Sequence, residues 1–143
     1  MSDRRKFIKD SCTACVGLLA FTSLSSLLSS CVSLPVHSAT VTNNLIQVPL
    51  ESILPDEQMK IIRSKSLAYD ILLVLKKDKK HLSFLMKCTH QDNILVATKQ
   101  GMVCNLHGSH FDLNGDVKNG PASKPLQRLK TIEENNYINI YTA

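Results

Sequence analysis

Two cysteines and two histidines arrive as two short pairs, CTH at residues 88–90 and CNLH at residues 104–107, with thirteen residues between them. Thiolates and imidazoles are metal ligands, and two such pairs at short spacing oblige a chain to bring both segments to one place. This is the tightest constraint in the sequence, because any fold it adopts must let Cys88, His90, Cys104 and His107 meet. Leu82, Phe84 and Met86 alternate just before CTH, and Met102 and Val103 stand just before CNLH, so both pairs fall in loops that leave strand ends. The two strands are joined by the hairpin Gln91–Val103, and their loops can therefore converge. Two arrangements satisfy the spacing. The cysteines hold one metal and the histidines a second, or all four surround a single tetrahedral zinc.

The surrounding periodicity is that of strands. Leu45–Leu50, Met59–Ser64, Asp70–Leu75, Ile94–Thr98, Met102–Val103 and Tyr137–Tyr141 read as further candidates, with SILPDE and the Asn135–Asn136 pair as turns. DILLVL is apolar enough for a core strand, and Lys76, Lys77, Lys79 and Lys80 around Asp78 mark a solvated hairpin tip. No stretch carries a capped, sustained helical stripe, so the expected fold class is all-β with short strands.

The first thirty residues have a different character. Arg4, Arg5, Lys6 and Lys9 precede an uncharged apolar run, Val16–Leu28, which is the layout of a secretory signal and short for a spanning helix. DRRKFIK resembles the twin-arginine export consensus, with Arg4 and Arg5 as the pair. LSSC at residues 28–31 is similar to a lipobox, with Cys31 as the lipidation site. The expected organisation is a signal peptide over residues 1–30, a flexible Ser/Thr/Val-rich tether over 31–44 and one domain over 45–143. Four basic and two acidic residues lie in the signal, which leaves 13 lysines and arginines against 10 acids, a balance of +3. So small a surplus is no nucleic-acid footprint.

Cysteine usage agrees with this partition. Cys12 and Cys15 form a CxxC at the entry to the signal's apolar run, which sets it apart from a redox motif, and Cys31 is assigned to lipid. Cys88 and Cys104 remain, in a chain addressed to a compartment that oxidises thiols. Either they bridge each other or something holds them, and the nearby histidines favour the second.

CTH followed by CNLHGSHFDLNGDVKNGPASKPL resembles a Rieske iron-sulfur domain over roughly Asp70–Tyr141. The resemblance implies an antiparallel β sandwich or barrel with a cluster-binding loop subdomain. It implies a [2Fe-2S] cluster in which Cys88 and Cys104 bind one iron and His90 and His107 the other, the histidines being the solvent-facing end. Gly120–Pro125 would be the proline loop over the cluster, and Ser109 a hydroxyl donor to it. Phe111 stands where high-potential members often carry Tyr, so a middle reduction potential is expected. Asn93 and Leu106 occupy the positions at which many exported members place a disulfide, so packing and the cluster must hold the loops. His37 (in the tether), His81 and His110 are expected at the surface. Asp112 is expected to fix its loop through backbone hydrogen bonds rather than to act as a catalytic acid.

The function expected is that of a membrane-tethered one-electron carrier, facing the periplasm of a bacterial cell envelope and bound to the membrane through lipid on Cys31. Its partners would be redox proteins or an oxidoreductase catalytic subunit. The alternatives are an electron-transfer subunit of a quinol-oxidising cytochrome complex or of a periplasmic molybdenum enzyme, and a structural zinc module. A cluster is inserted in the cytoplasm, so its carrier must cross the membrane folded, which is the task of the twin-arginine route. No phosphate-binding glycine loop and no serine–histidine nucleophile pair is present.

Overall fold

The computed structural model describes residues 34–142. The signal, Arg4, Arg5 and Cys31 lie outside the described residues. Among the described residues there is no α-helix and no helix long and apolar enough to cross a membrane. The chain forms β1 (Val36–Ser38), β2 (Leu45–Pro49), β3 (Met59–Arg63), β4 (Ile71–Val74), β5 (Leu82–Leu85), β6 (Val96–Thr98), β7 (Gly101–Val103), β8 (His110–Phe111), β9 (Val117–Asn119), β10 (Arg128–Glu134) and β11 (Tyr137–Tyr141). Seven strands pair in the order β1-β3-β4-β5-β10-β11-β2, and the other four pair as β6-β7-β8-β9.

The large sheet cannot be flat. β1 and β2 lie at its opposite edges, yet the seven Cα steps from Ser38 to Leu45 reach at most about 25 Å. Six inter-strand spacings would separate flat edges by about 29 Å. Asn43 and Asn44, both at positive φ, shorten the connection further by turning it. The sheet therefore curls toward closure, the barrel-like all-β fold expected.

Curling gives the sheet an inside and an outside, and the sequence of β4 records both. Ile71 and Leu73 point into one core with Ile46, Val48, Ile138 and Ile140, while Leu72 and Val74 point into another with Phe84, Met102 and Phe111. A strand buried on both faces must read as a continuous apolar run, which is why DILLVL does not alternate. The second core lies under the small sheet and contains Cys88 and Cys104 themselves. The small sheet is thus seated on the large one, and the Leu126 N–H bonds the Gly115 carbonyl at 2.9 Å to hold it there.

Two expectations are corrected. The middle of the tether contains a strand: Val36–Ser38 pairs in parallel with Ile61–Arg63, because the edge of β3 offers unpaired backbone groups and Leu34 has the core to pack against. His81 is buried rather than at the surface, and His37, within β1, is half-buried. His81 Nδ1 accepts the Lys76 N–H at 3.0 Å, so its proton sits on Nε2 and is donated to Glu133, 2.9 Å away. That bond ties the Lys-rich hairpin to β10, a strand the periodicity did not reveal. His110 is exposed, as expected.

Candidate metal centre

β5 runs straight into the first loop. Beyond Leu85, the Met86 N–H bonds the Asp70 carbonyl at 2.8 Å and Lys87 bridges Ile94, so the chain is still pinned when it reaches Cys88. The Cys88 N–H then bonds the Asn93 carbonyl at 2.8 Å and closes the loop that presents His90. β7 feeds the second loop in the same way. There the Cys104 N–H bonds the Ser109 carbonyl at 2.8 Å, and the Gly108 N–H returns to the Cys104 carbonyl at 2.9 Å.

The result is a segregation by residue type. Cys88 and Cys104 are fully buried, whereas His90 and His107 are exposed and their rings meet edge-on with centroids 4.9 Å apart. Soft thiols therefore face the core and imidazoles face water. Burial pushes the Cys104 thiol up, but the backbone N–H groups of His107 and Leu106, with the Cys88 thiol, outweigh it and hold Cys104 below the usual thiol range. Amides directed at sulfur are also what a thiolate ligand needs for its residual charge. Among the described residues no three His, Cys, Asp or Glu side chains converge on one ion-sized point. Two cysteines at the inner end and two histidines at the outer suit a two-metal group better than one tetrahedral ion.

A third loop covers the first two. Asn119 Nδ2 bonds the Gly108 carbonyl at 3.1 Å, the Ala122 N–H bonds Ser109 Oγ at 3.0 Å, and Thr89 Oγ1 bonds the Lys124 carbonyl at 2.7 Å. Ser109 is fully buried, and with its oxygen accepting from Ala122 its own proton remains free to donate. Residues 120–125 therefore lie where the proline loop was expected. The roles of Thr89 and Asn119 were not legible in the sequence, since a small polar residue in a loop has many uses.

Asp112 anchors the β8–β9 turn that supports this lid. Its Oδ1 accepts the N–H groups of Asn114 at 2.8 Å and Asp116 at 3.0 Å, and its Oδ2 faces Lys118 Nζ at 3.2 Å. Burial raises its pKa, but these donors outweigh burial and hold the carboxyl below its usual value. A group depressed in the folded state stabilises fully above its unfolded pKa of about 3.9 and loses that contribution as pH falls through the lower folded value. Asp112→Asn is accordingly expected to cost about 1 kcal/mol at neutral pH, by weakening charge-assisted bonds. The deficit should shrink as pH falls below the unfolded carboxylate range and vanish once pH has passed the lower folded value, as followed in acid titrations of unfolding. A deficit that persists unchanged into acid would refute the assignment.

The Rieske [2Fe-2S] domain family matches residues 46–133, more than half of the chain. No curated protein matches it. Among solved structures it is similar to the plasma membrane Rieske protein PetC3 from Synechocystis PCC 6803, at 20% identity and a TM-score of 0.47, covering 68% of this chain and 85% of that one. It is similar to the apo form of the quaternary ammonium Rieske monooxygenase CntA, at 21% identity and a TM-score of 0.56, covering 73% of this chain and 34% of that one. Naphthalene 1,2-dioxygenase with indole bound matches at 19% identity and a TM-score of 0.56, covering 73% of this chain and 27% of that one. The chain thus spans about a third or less of the length of these oxygenases, and the likeness is one of fold. The chain belongs to the Rieske [2Fe-2S] domain family: it binds a [2Fe-2S] cluster and is an electron-transfer protein.

Proposed function

We propose that this chain is a membrane-tethered one-electron carrier, with Cys88 and Cys104 on the inner iron and His90 and His107 on the outer. The observation that carries the ligand assignment is the segregation at the loop tips, buried thiols beneath exposed imidazoles. The bound cluster supplies a one-electron couple whose potential is raised because two neutral imidazoles replace two thiolates. The chain's own residues set the rest. Backbone amides of Leu106 and His107 stabilise charge on Cys104, and the buried Ser109 hydroxyl is free to donate to sulfur. Phe111, buried within β8, offers no hydroxyl of its own. His90 and His107 form the exposed surface through which an electron enters and leaves. Arg4 and Arg5 support export of a folded protein, and Cys31 supports a lipid anchor on the periplasmic side of the cell envelope.

A second reading, an electron-transfer subunit of a larger oxidoreductase, is favoured by one feature. Ile94 and Leu106 are 68% and 65% exposed beside the histidine tip, where a partner would cover them. Stable co-purification with a catalytic subunit would decide for it.

The test is electron paramagnetic resonance of the dithionite-reduced protein, with iron, sulfide and zinc content and a redox titration. The expected result is two irons per chain and a rhombic cluster signal. The midpoint should lie well inside the Rieske span of roughly −150 to +300 mV, since one hydroxyl donor is present and one is missing. A colourless zinc protein, or a midpoint at either extreme, would overturn it.

A further inference from the structure

Tyr69 stands in the β3–β4 turn, a part of the large sheet made rigid by its own bonds. Arg63 grips the Asp70 carboxylate through Nε and Nη2, at 3.0 and 2.7 Å from Oδ2, and the Asp70 carbonyl receives the Met86 N–H. From this base the Tyr69 hydroxyl donates to the Asp92 carbonyl at 2.6 Å. Lys87 Nζ meets Asp92 Oδ1 at 3.0 Å and lies 5.6 Å from the Tyr69 ring centroid, so both contacts converge on one residue of the first loop. Asp92 is two residues beyond His90 and one before Asn93, whose carbonyl holds the Cys88 N–H. Among the described residues the second loop makes no such side-chain hydrogen bond to the large sheet. Its side-chain bonds, from Asn119 to Gly108 and between Ser109 and Ala122, run to the lid. Asn93 and Leu106 face a shared groove of about 630 Å³ beside Tyr69.

We propose that Tyr69 is a positioning residue for the centre: its hydroxyl, with Lys87 in support, fixes the first loop against the large sheet and so sets the placement of His90. This rests on the ligand assignment proposed above. The two contacts are unequal. The Asp92 side chain is 78% exposed, so the Lys87 pair is screened by salt, whereas a neutral bond from a phenol to a carbonyl is not.

The test uses the full-length, cluster-loaded chain and three variants, Tyr69→Phe, Tyr69→Ala and Lys87→Gln. Iron release to a chelator, the reduced paramagnetic resonance line shape and the midpoint potential are measured at low and high salt. Tyr69→Phe, which keeps the ring and its packing, is expected to release iron about fivefold faster. It should also alter the line shape or midpoint at both salt concentrations. Lys87→Gln should show a smaller effect that disappears in about 1 M salt. Tyr69→Phe indistinguishable from the parent in iron release and line shape would overturn the proposal, even if Tyr69→Ala is less stable, because packing alone would then account for the residue. If the parent itself shows no reduced-cluster signal, the ligand assignment fails instead, and the two failures are told apart before any variant is compared.

Discussion

Replacing His90 and His107 together by alanine is expected to abolish the visible colour and the reduced-state resonance, and to lower iron to less than about a tenth of the parent's content. Both imidazoles are exposed, so their removal leaves no cavity in either core. Any loss is therefore a loss of ligation rather than of packing. A two-iron group would be left with two thiolates at one end and water at the other, which is no longer a closed site. The consequence for stability is regional. Cys88 and Cys104 belong to the core under the small sheet, while the core of Ile46, Val48, Ile62, Ile71, Leu73, Leu129, Ile138 and Ile140 contains no residue of the centre. Metal binding is folding free energy for the segments it joins. Hydrogen exchange in the variant should accelerate across residues 86–126 and stay slow in β2 and β11, and the same pattern should follow chelation of the parent. A double variant that keeps its iron and colour would refute the ligand set. Uniform acceleration over both cores would refute the division of the fold.

What could be read beforehand follows from which interactions leave a mark on neighbouring residues. The strands with one or two apolar faces, β2 to β5 and β11, announce themselves because burial recurs every second residue or continuously. The ligand pairs are legible because their chemistry is rare and their spacing short. β10 was missed because RLKTIEE carries charge on its exposed face and buries only Leu129 fully, so its place depends on the pairing of Arg128 and Leu129 with Phe84 and Ser83. β1 was missed because VHS has almost no apolar content and owes its conformation to the edge of β3. His81 was misplaced since its burial depends on Glu133, 52 residues away. The Tyr69 bond to Asp92 spans 23 residues and is equally silent in the sequence. Contacts between side chains and distant backbone need no particular local pattern, and local pattern is all that a single sequence displays.

Gly101→Ala is expected to destabilise the loaded protein by about 4 kcal/mol, the size of a severe defect, here a steric conflict that cannot relax. Gly101 opens β7 at φ +144°, and a Cβ there would lie 1.9 Å from the Phe111 carbonyl oxygen and 2.9 Å from the Asp112 Cα. Both obstacles are backbone, so no rotamer change removes them. Nor can that backbone drift, because the Asp112 N–H is bonded to the Asp116 carbonyl and its carboxylate to the N–H groups of Asn114 and Asp116. The strain must open the pairing of Met102 with Phe111 and of Val103 with His110, and these pairs hold the strand that delivers Cys104 to the centre. Iron retention should therefore fall with stability. Gly108→Ala is the matched control: at φ +78° it also favours glycine, but a Cβ there meets nothing within 4 Å. Only the conformational cost, about 1 kcal/mol, is expected. Urea unfolding of the two variants separates clash from backbone preference. Equal losses would mean that β7 and β8 are not packed as closely as the geometry of Gly101 requires.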